Sequence, residues 1–225
     1  GNNTFFSYLP LNHIAERVVV EYAVFRFGGT LSFAENLDTF AENLQETQPT
    51  VFFAVPRIWT KFQMGILSKI PQEKLSKLLN IPVLSWVLKR KFKKALGLSK
   101  ARSIVSGAAP LQETQRTWFR KIGISITNGY GMTENCAITT HLGDGIIDKP
   151  GSVGLAQPGV ELKIDSETSE ILMRGPFMMK EYYKQPELTS EVIKDSWLHT
   201  GDQGHIDTDG FLFITGRVKD IFKTS

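Results

Sequence analysis

The residues best suited to chemistry form a seven-residue stretch, Asn-Gly-Tyr-Gly-Met-Thr-Glu at 128–134, which follows an apolar run. Two glycines around Tyr130 let the backbone approach a flat ligand closely, and the tyrosine ring could stack on a base. Thr133 offers a hydroxyl to a phosphate, and Glu134 offers the hard oxygen ligand that Mg2+ prefers between phosphate oxygens. The stretch predicts a nucleotide site, although a bare turn between a strand and a helix would use the same glycines.

Four further motifs accompany this stretch in a fixed order along the chain. They are Ser-Gly-Ala-Ala-Pro-Leu at 106–111, Gly-Ser-Val-Gly at 151–154, Trp-Leu-His-Thr-Gly-Asp at 197–202 and Gly-Arg-Val-Lys-Asp at 216–220. Together the five motifs resemble the acyl-adenylate-forming superfamily, which includes acyl-CoA synthetases, firefly luciferase and nonribosomal-peptide adenylation domains. The resemblance spans essentially all 225 residues.

Within the superfamily, residues 8–17 and 48–59 look most like a long-chain fatty acyl-CoA synthetase. This resemblance implies an ATP-dependent ligase that forms acyl-AMP from a fatty acid, uses Mg2+, and then transfers the acyl group to CoA as co-substrate. Two alternatives stay open. The acceptor could differ, as in fatty acyl-AMP ligases or amino-acid adenylation domains, or the chain could be a non-catalytic nucleotide- or lipid-binding module.

The resemblance also assigns roles to individual residues. Two loops would line the adenine and acyl pockets through backbone contacts and the Tyr130 ring. They consist of Gly107, Ala108, Ala109, Asn128, Gly129, Tyr130 and Gly131. Among the catalytic residues, Thr133 would touch phosphate and Glu134 would bind the metal. A hydroxyl that caps the next helix is the structural alternative for Thr133.

The remaining assigned residues lie near the two ends of the chain. Asp202 resembles the aspartate that accepts hydrogen bonds from both ribose hydroxyls, and an Asx turn is its alternative. Arg217 resembles the arginine that reaches ribose and phosphate. Lys219 occupies the catalytic hinge position, and His13 resembles the histidine beside the acyl carboxylate; a surface lysine and a structural histidine are the alternatives. Arg17 stands where some members have a gating tryptophan, which weakens any inference about acyl chain length.

Two family elements have no counterpart among the 225 residues. One is the Ser/Thr/Gly-rich loop ending in Pro-Lys-Gly, whose backbone N–H groups cradle phosphates. The other is the small C-terminal domain with the family's catalytic lysine. We therefore expect a middle-to-late piece of the large domain, inactive by itself.

Composition restricts the protein class. A chain with 41% hydrophobic residues can bury a core, and a formal charge of +3 is too small to argue for nucleic acid as a partner. The single cysteine excludes an internal disulfide and fits a cytoplasmic setting. A basic run at 89–94 follows apolar residues, which is typical either of a solvated helix face or of peripheral contact with a membrane.

Alternating patterns predict an α/β fold. Helices are predicted over residues 14–27, 36–48, 56–67, 71–96 and 111–121, and strands over 30–33, 51–55, 102–105 and 124–127. The first helix is apolar on all sides and is expected to be buried. This alternation implies a mainly parallel sheet covered by helices, as in the large domain of the acyl-CoA synthetase fold.

Short segments at 161–164, 170–174 and 211–215 are separated by turn residues, which predicts a smaller antiparallel β subdomain. With a polar break at 143–150, the expected division is 1–145 for an α/β acyl- and adenine-binding subdomain, 146–217 for the β-rich subdomain, and 218–225 for the hinge and the start of the C-terminal domain.

Overall fold

The computed structural model describes residues 3–141 and 149–218. The chain divides into two compact units, residues 1–127 and 128–225. The break predicted at 143–150 falls mostly outside the described residues, as does Lys219. The division at 145 and 217 therefore stays a prediction.

The first unit alternates helices and strands. Its elements are β1 (Thr4–Ser7), a π-helical segment (Glu16–Tyr22) that runs into α1 (Ala23–Phe27), β2 (Thr30–Phe33), α2 (Phe40–Thr47), β3 (Val51–Ala54), α3 (Pro56–Leu67), α4 (Gln72–Leu79), α5 (Pro82–Ala95), β4 (Ser103–Ser106), α6 (Glu113–Lys121) and β5 (Thr127–Asn128). β1 pairs in parallel with β2, and β3 pairs in parallel with β4, whose other neighbour is β5.

Aromatic packing forms the core of this unit. The Trp59 ring on α3 is fully buried and lies edge-on to Phe52 at 5.7 Å and to Phe119 at 5.4 Å between ring centroids. Leu44 and Leu75 complete the same core from α2 and α4. Edge-to-face aromatic pairs add about 0.5–1.5 kcal/mol each beyond the area they bury, so this core fixes the sheet against its helices.

The burial predicted for helix 14–27 is wrong. Its first turns are π-helical, and Tyr22, Phe25 and Phe27 are 62%, 84% and 63% exposed. Only Ala15, Glu16 and Val20 are buried, because the described residues of this unit pack against one side of the segment. Its predicted end is confirmed, since Gly28 stops the helix at φ +67°.

The single helix predicted over 71–96 is also wrong. The structure breaks it at Asn80 and Ile81 into α4 and α5, with Ile81 in extended backbone directly before Pro82. Proline lacks the N–H that a continuous helix needs and disfavours helical backbone in the preceding residue. The strand predicted over 124–127 is reduced to the two residues of β5.

The second unit is antiparallel. Its elements are a 3-10 turn (Thr133–Asn135), β6 (Thr140–His141), β7 (Leu155–Ala156), β8 (Glu161–Ile164), β9 (Glu170–Arg174), α7 (Pro186–Val192), β10 (Ile193–Lys194), β11 (Trp197–Ile206) and β12 (Leu212–Arg217). β11 pairs with β9, β10 and β12, and β8 extends the sheet beyond β9. The predicted α/β fold followed by antiparallel β structure is thus confirmed. Among the described residues, no helix is both long and apolar enough to cross a bilayer.

Candidate functional site

The loop at 128–134 is held in place by hydrogen bonds to the backbone of Tyr130. Its N–H donates to Thr140 Oγ1 at 3.2 Å, and its carbonyl accepts from the N–H groups of Thr139 and Thr140 at 3.2 and 3.1 Å. Position 131 requires glycine for a steric reason, since a Cβ there would lie 2.3 Å from the carbonyl carbon of Ala137. The backbone thus doubles back closely at this point, and only glycine fits.

Asn135 locks the same loop from inside, and sequence reasoning missed it. Its side chain is fully buried, accepts the Met132 N–H at 2.9 Å and donates to Thr139 Oγ1 at 2.7 Å. Thr133 lies on the exposed side of the turn, and the residue at the turn's N-cap is Met132. The capping alternative for Thr133 is therefore wrong, while its contact with phosphate stays a prediction.

Asp202 lies at an irregularity in β11. The pairing of β11 with β9 shifts register between His199 and Gln203. Thr200 Oγ1 donates to the Ile171 carbonyl at 2.7 Å inside the sheet and accepts the Asp202 N–H at 3.2 Å. Irregularities of this kind re-aim side chains and are over-represented next to active sites. An Asx turn at Asp202 would use the N–H of Gly204, which donates instead to the Ser169 carbonyl at 3.0 Å, so this alternative has no support in the geometry.

Tyr130, Asp202 and Arg217 converge on one another. The Tyr130 hydroxyl donates to Asp202 Oδ2 at 2.6 Å, and Arg217 Nε lies 3.3 Å from Asp202 Oδ1. Asp202 and Arg217 are cross-strand partners on β11 and β12, which places both side chains on one face. Burial, and then the hydrogen bond to Asp202, raise the pKa of Tyr130 far above its ordinary value. Tyr130 is therefore a neutral donor, and each oxygen of the Asp202 side chain has one partner, Tyr130 or Arg217.

Glu134 has a partner that the sequence did not reveal. The Tyr182 hydroxyl donates to Glu134 Oε1 at 2.7 Å across 48 residues of sequence. Burial, followed by this hydrogen bond, raises the pKa of Tyr182 to about 12. The Glu134 carbonyl also accepts the Met179 N–H. Glu134 is thus hydrogen-bonded to the segment before α7 through both its backbone and its side chain.

The other predicted nucleotide loop, Gly107 to Ala109, belongs to the first unit. It follows β4, and Ala108 has a left-handed φ of +66°, which is uncommon for a residue with a side chain. The hydroxyl of Ser106, at the end of the strand, is buried without a hydrogen-bond partner among the described residues. Strained backbone and an unsatisfied polar group at the carboxyl end of a parallel strand are both features that cluster at ligand sites.

His13 takes a structural position. Its Nδ1 accepts the Ala15 N–H at 3.2 Å, at the start of the first helical segment. With Nδ1 used as an acceptor, Nε2 is the ring nitrogen that can donate to a second group. The geometry supports the structural interpretation and leaves the acyl-carboxylate contact as a prediction. Arg17 pairs with Glu21 at 2.9 Å on the surface of the same helix.

No group of three or more His, Cys, Asp or Glu side chains within the described ranges could hold a metal by itself. Glu134 nevertheless fits Mg2+, which usually binds proteins through one or two carboxylates and completes its shell with substrate phosphates and water.

Comparison with known proteins gives the class. The family model described as AMP-binding enzyme matches residues 1–183. The chain therefore belongs to the AMP-binding enzyme family, as the five motifs predict.

Curated relatives are similar over nearly the whole chain. They include the putative fatty-acid–CoA ligase fadD11 of Mycobacterium tuberculosis, 34% identical over 96% of this chain and 43% of its own length. Long chain acyl-CoA synthetase 2 of Arabidopsis thaliana is 33% identical over 100% of this chain and 39% of its own length. The chain thus spans about two fifths of the relatives it matches.

Solved structures share the fold. A malonyl-CoA ligase in a ternary product complex with methylmalonyl-CoA and AMP matches with TM-score 0.72 and 27% identity, over 96% of this chain and 44% of its own length. The N-terminal domain of FACL13 from Mycobacterium tuberculosis matches in fold with TM-score 0.71 and 24% identity, over 95% of this chain and 51% of its own.

Proposed function

We propose that the protein carrying this chain activates a long-chain fatty acid with ATP and transfers it to CoA. The fatty acid carboxylate attacks the α-phosphorus, which gives acyl-AMP and pyrophosphate, and the CoA thiol then displaces AMP to give the thioester. Family membership and relatives named fatty-acid–CoA ligase and long chain acyl-CoA synthetase support this reaction class.

The cluster of Tyr130, Asp202 and Arg217 carries the proposal. Asp202 has one oxygen paired with the Tyr130 hydroxyl and the other with Arg217. Each carboxylate oxygen has a second lone pair, so Asp202 can still accept two hydroxyl donors side by side. A ribose diol offers such a pair. The adjacent Tyr130 ring, fixed through its hydroxyl, offers a flat surface for the adenine.

Glu134 is the residue that would hold Mg2+ in this proposal. A bound Mg2+ neutralises phosphate charge during attack at the α-phosphorus. The chain's own contribution is to fix the carboxylate, which Tyr182 does by donating to Oε1. The hinge role of Lys219, the phosphate contact of Thr133 and the backbone contacts of Gly107, Ala108 and Ala109 belong to the same proposal.

The proposal includes a location for the enzyme, at the surface of a membrane. Long-chain fatty acids partition into bilayers, so an enzyme that activates them gains from peripheral contact with a membrane on the cytoplasmic side.

Palmitate-dependent exchange of labelled pyrophosphate into ATP, measured on the full-length natural protein, tests the first half-reaction. We expect exchange with palmitate and none without it. Thioester formation from CoA then tests the second half-reaction. Exchange without thioester would assign the protein to acyl-AMP ligases, and the absence of exchange with any fatty acid would refute the proposal.

A further inference from the structure

Basic residues are concentrated in one part of the first unit. Residues 61–100 contain ten of the chain's 26 Lys and Arg residues but only one of its 23 Asp and Glu residues. The chain as a whole has a formal charge of only +3, so this region is strongly positive and the remainder is acidic. Half of these ten cations lie on α5.

One face of α5 is turned outward. Ser85 and Phe92, seven residues apart, are buried and mark the inward face. The opposite face presents apolar side chains at the N-terminal end and cations at the C-terminal end. We call it the α5 surface, and it consists of Val83, Leu84, Trp86, Arg90, Lys91 and Lys94.

The apolar end of the α5 surface is exposed to an unusual degree. Val83, Leu84 and Trp86 are 73%, 40% and 58% exposed, although all three are costly to leave in water. The guanidinium of Arg90 lies 4.3 Å from the centroid of the Trp86 ring, which joins the apolar and basic ends. No carboxylate among the described residues pairs with Arg90, Lys91 or Lys94.

We propose that the α5 surface docks on an anionic lipid bilayer. Val83, Leu84 and Trp86 enter the boundary between headgroups and acyl chains, where tryptophan is favoured, while Arg90, Lys91 and Lys94 contact lipid phosphates. Unpaired cations complement an anionic surface, and the apolar end distinguishes this partner from RNA, whose backbone would leave those side chains in water. The inference rests on the peripheral membrane contact in the proposed function, but it uses none of the nucleotide-site residues.

Vesicle co-sedimentation of the full-length natural protein tests the proposal. Phosphatidylcholine vesicles are compared with vesicles containing about 30% phosphatidylglycerol, at about 0.1 M salt, where the Debye length is about 10 Å. We expect binding to the anionic vesicles only. The triple variant Arg90→Gln, Lys91→Gln, Lys94→Gln should bind at least about tenfold more weakly, because each basic residue near an anionic surface contributes about a fivefold factor.

The matched control removes three exposed lysines from the second unit, Lys180→Gln, Lys184→Gln and Lys194→Gln. It should bind like the wild type, and both triple variants should retain palmitate-dependent pyrophosphate exchange, which shows that they are folded. Trp86→Ser supplies a second variant that keeps every charge and should also weaken binding.

Several results would overturn the proposal. Equal losses in the two triple variants would reduce it to a net-charge effect. Equal binding to neutral and anionic vesicles, or tighter binding to a single-stranded RNA than to vesicles, would assign the surface to another partner. Vesicle binding without exchange activity would instead refute the proposed reaction and leave the membrane surface supported.

Discussion

The two units of this chain use different means of fixing their side chains. The first unit buries a continuous aromatic and aliphatic core around Trp59, Phe52 and Phe119. The second buries a smaller apolar set around Met173 and Leu198, and it fixes its site residues by hydrogen bonds.

The difference predicts where substitutions act. A packed apolar core contributes mainly to the free energy of unfolding, because each buried ring is held by packing on all sides. A hydrogen-bonded network at the surface of a sheet contributes less to stability, since folding only exchanges water partners for protein partners. Changes in the buried core of the first unit should therefore affect folding, and changes at Tyr130, Asp202 and Glu134 should affect ligand binding.

Trp59→Ala is the strongest test of this comparison. Removing the fully buried ring should lower the free energy of unfolding by about 3–5 kcal/mol, because a large cavity remains. Urea unfolding followed by circular dichroism measures it. Trp86→Ala, at an exposed position, should change it by no more than about 0.5 kcal/mol. Similar losses in both variants would show that the aromatic core is not what stabilises this unit.

Asp202→Asn should separate binding from stability in the second unit. One acceptor oxygen becomes a donor, and a hydrogen bond to a charged group contributes about 1.5–3 kcal/mol, so affinity for AMP should fall about tenfold or more. Calorimetric titration of AMP into the full-length protein measures this. Asp209→Asn, in an exposed turn, is the control and should leave affinity unchanged. A large loss of stability with unchanged AMP affinity would break the comparison.

Tyr182→Phe should have a smaller effect, on the metal alone. Without the hydroxyl, Glu134 loses one donor, and the concentration of Mg2+ that supports half-maximal pyrophosphate exchange should rise about fivefold. The neighbouring Tyr183 is 81% exposed, and Tyr183→Phe is the matched control. An unchanged Mg2+ requirement, or an equal shift in both variants, would mean that Tyr182 does not position Glu134.

Glu16→Gln tests the first unit through the pH dependence of its stability, because the Glu16 carboxyl is a polar group buried inside that unit. Burial, as the main cause, raises the pKa of Glu16, and its Oε1 is buried without a hydrogen-bond partner among the described residues. A raised folded-state pKa means that stability falls as pH rises above the ordinary glutamate value.

Thermal unfolding, followed in ~1-unit steps from about pH 5 to about pH 8, measures the effect. The stability of Glu16→Gln relative to wild type should increase with pH. Glu46→Gln, on the exposed side of α2, should show no such trend. A difference that stays constant with pH would mean that Glu16 does not ionise differently in the folded chain.

Local sequence determined most of the elements and the motifs. The helix at Pro56–Leu67 and the strand at Glu161–Ile164 have their predicted bounds, because a proline start and regular side-chain alternation are short-range signals. The family followed from the order of five short motifs, each with its own local geometry. The break at Pro82 was also available in the sequence, although the apolar pattern across 71–96 obscured it.

Tertiary structure alone decided how the site residues are held. The donor to Glu134 comes from Tyr182 and the donor to Asp202 from Tyr130, 48 and 72 residues away in the sequence. No periodicity connects residues at such separations, because a hydrogen bond between them depends on sheet register and loop path. The exposure of Tyr22, Phe25 and Trp86 was equally hidden, since an apolar side chain is buried only where another element packs over it. The sequence by itself specified which chemical groups the site contains, and the fold specified their partners.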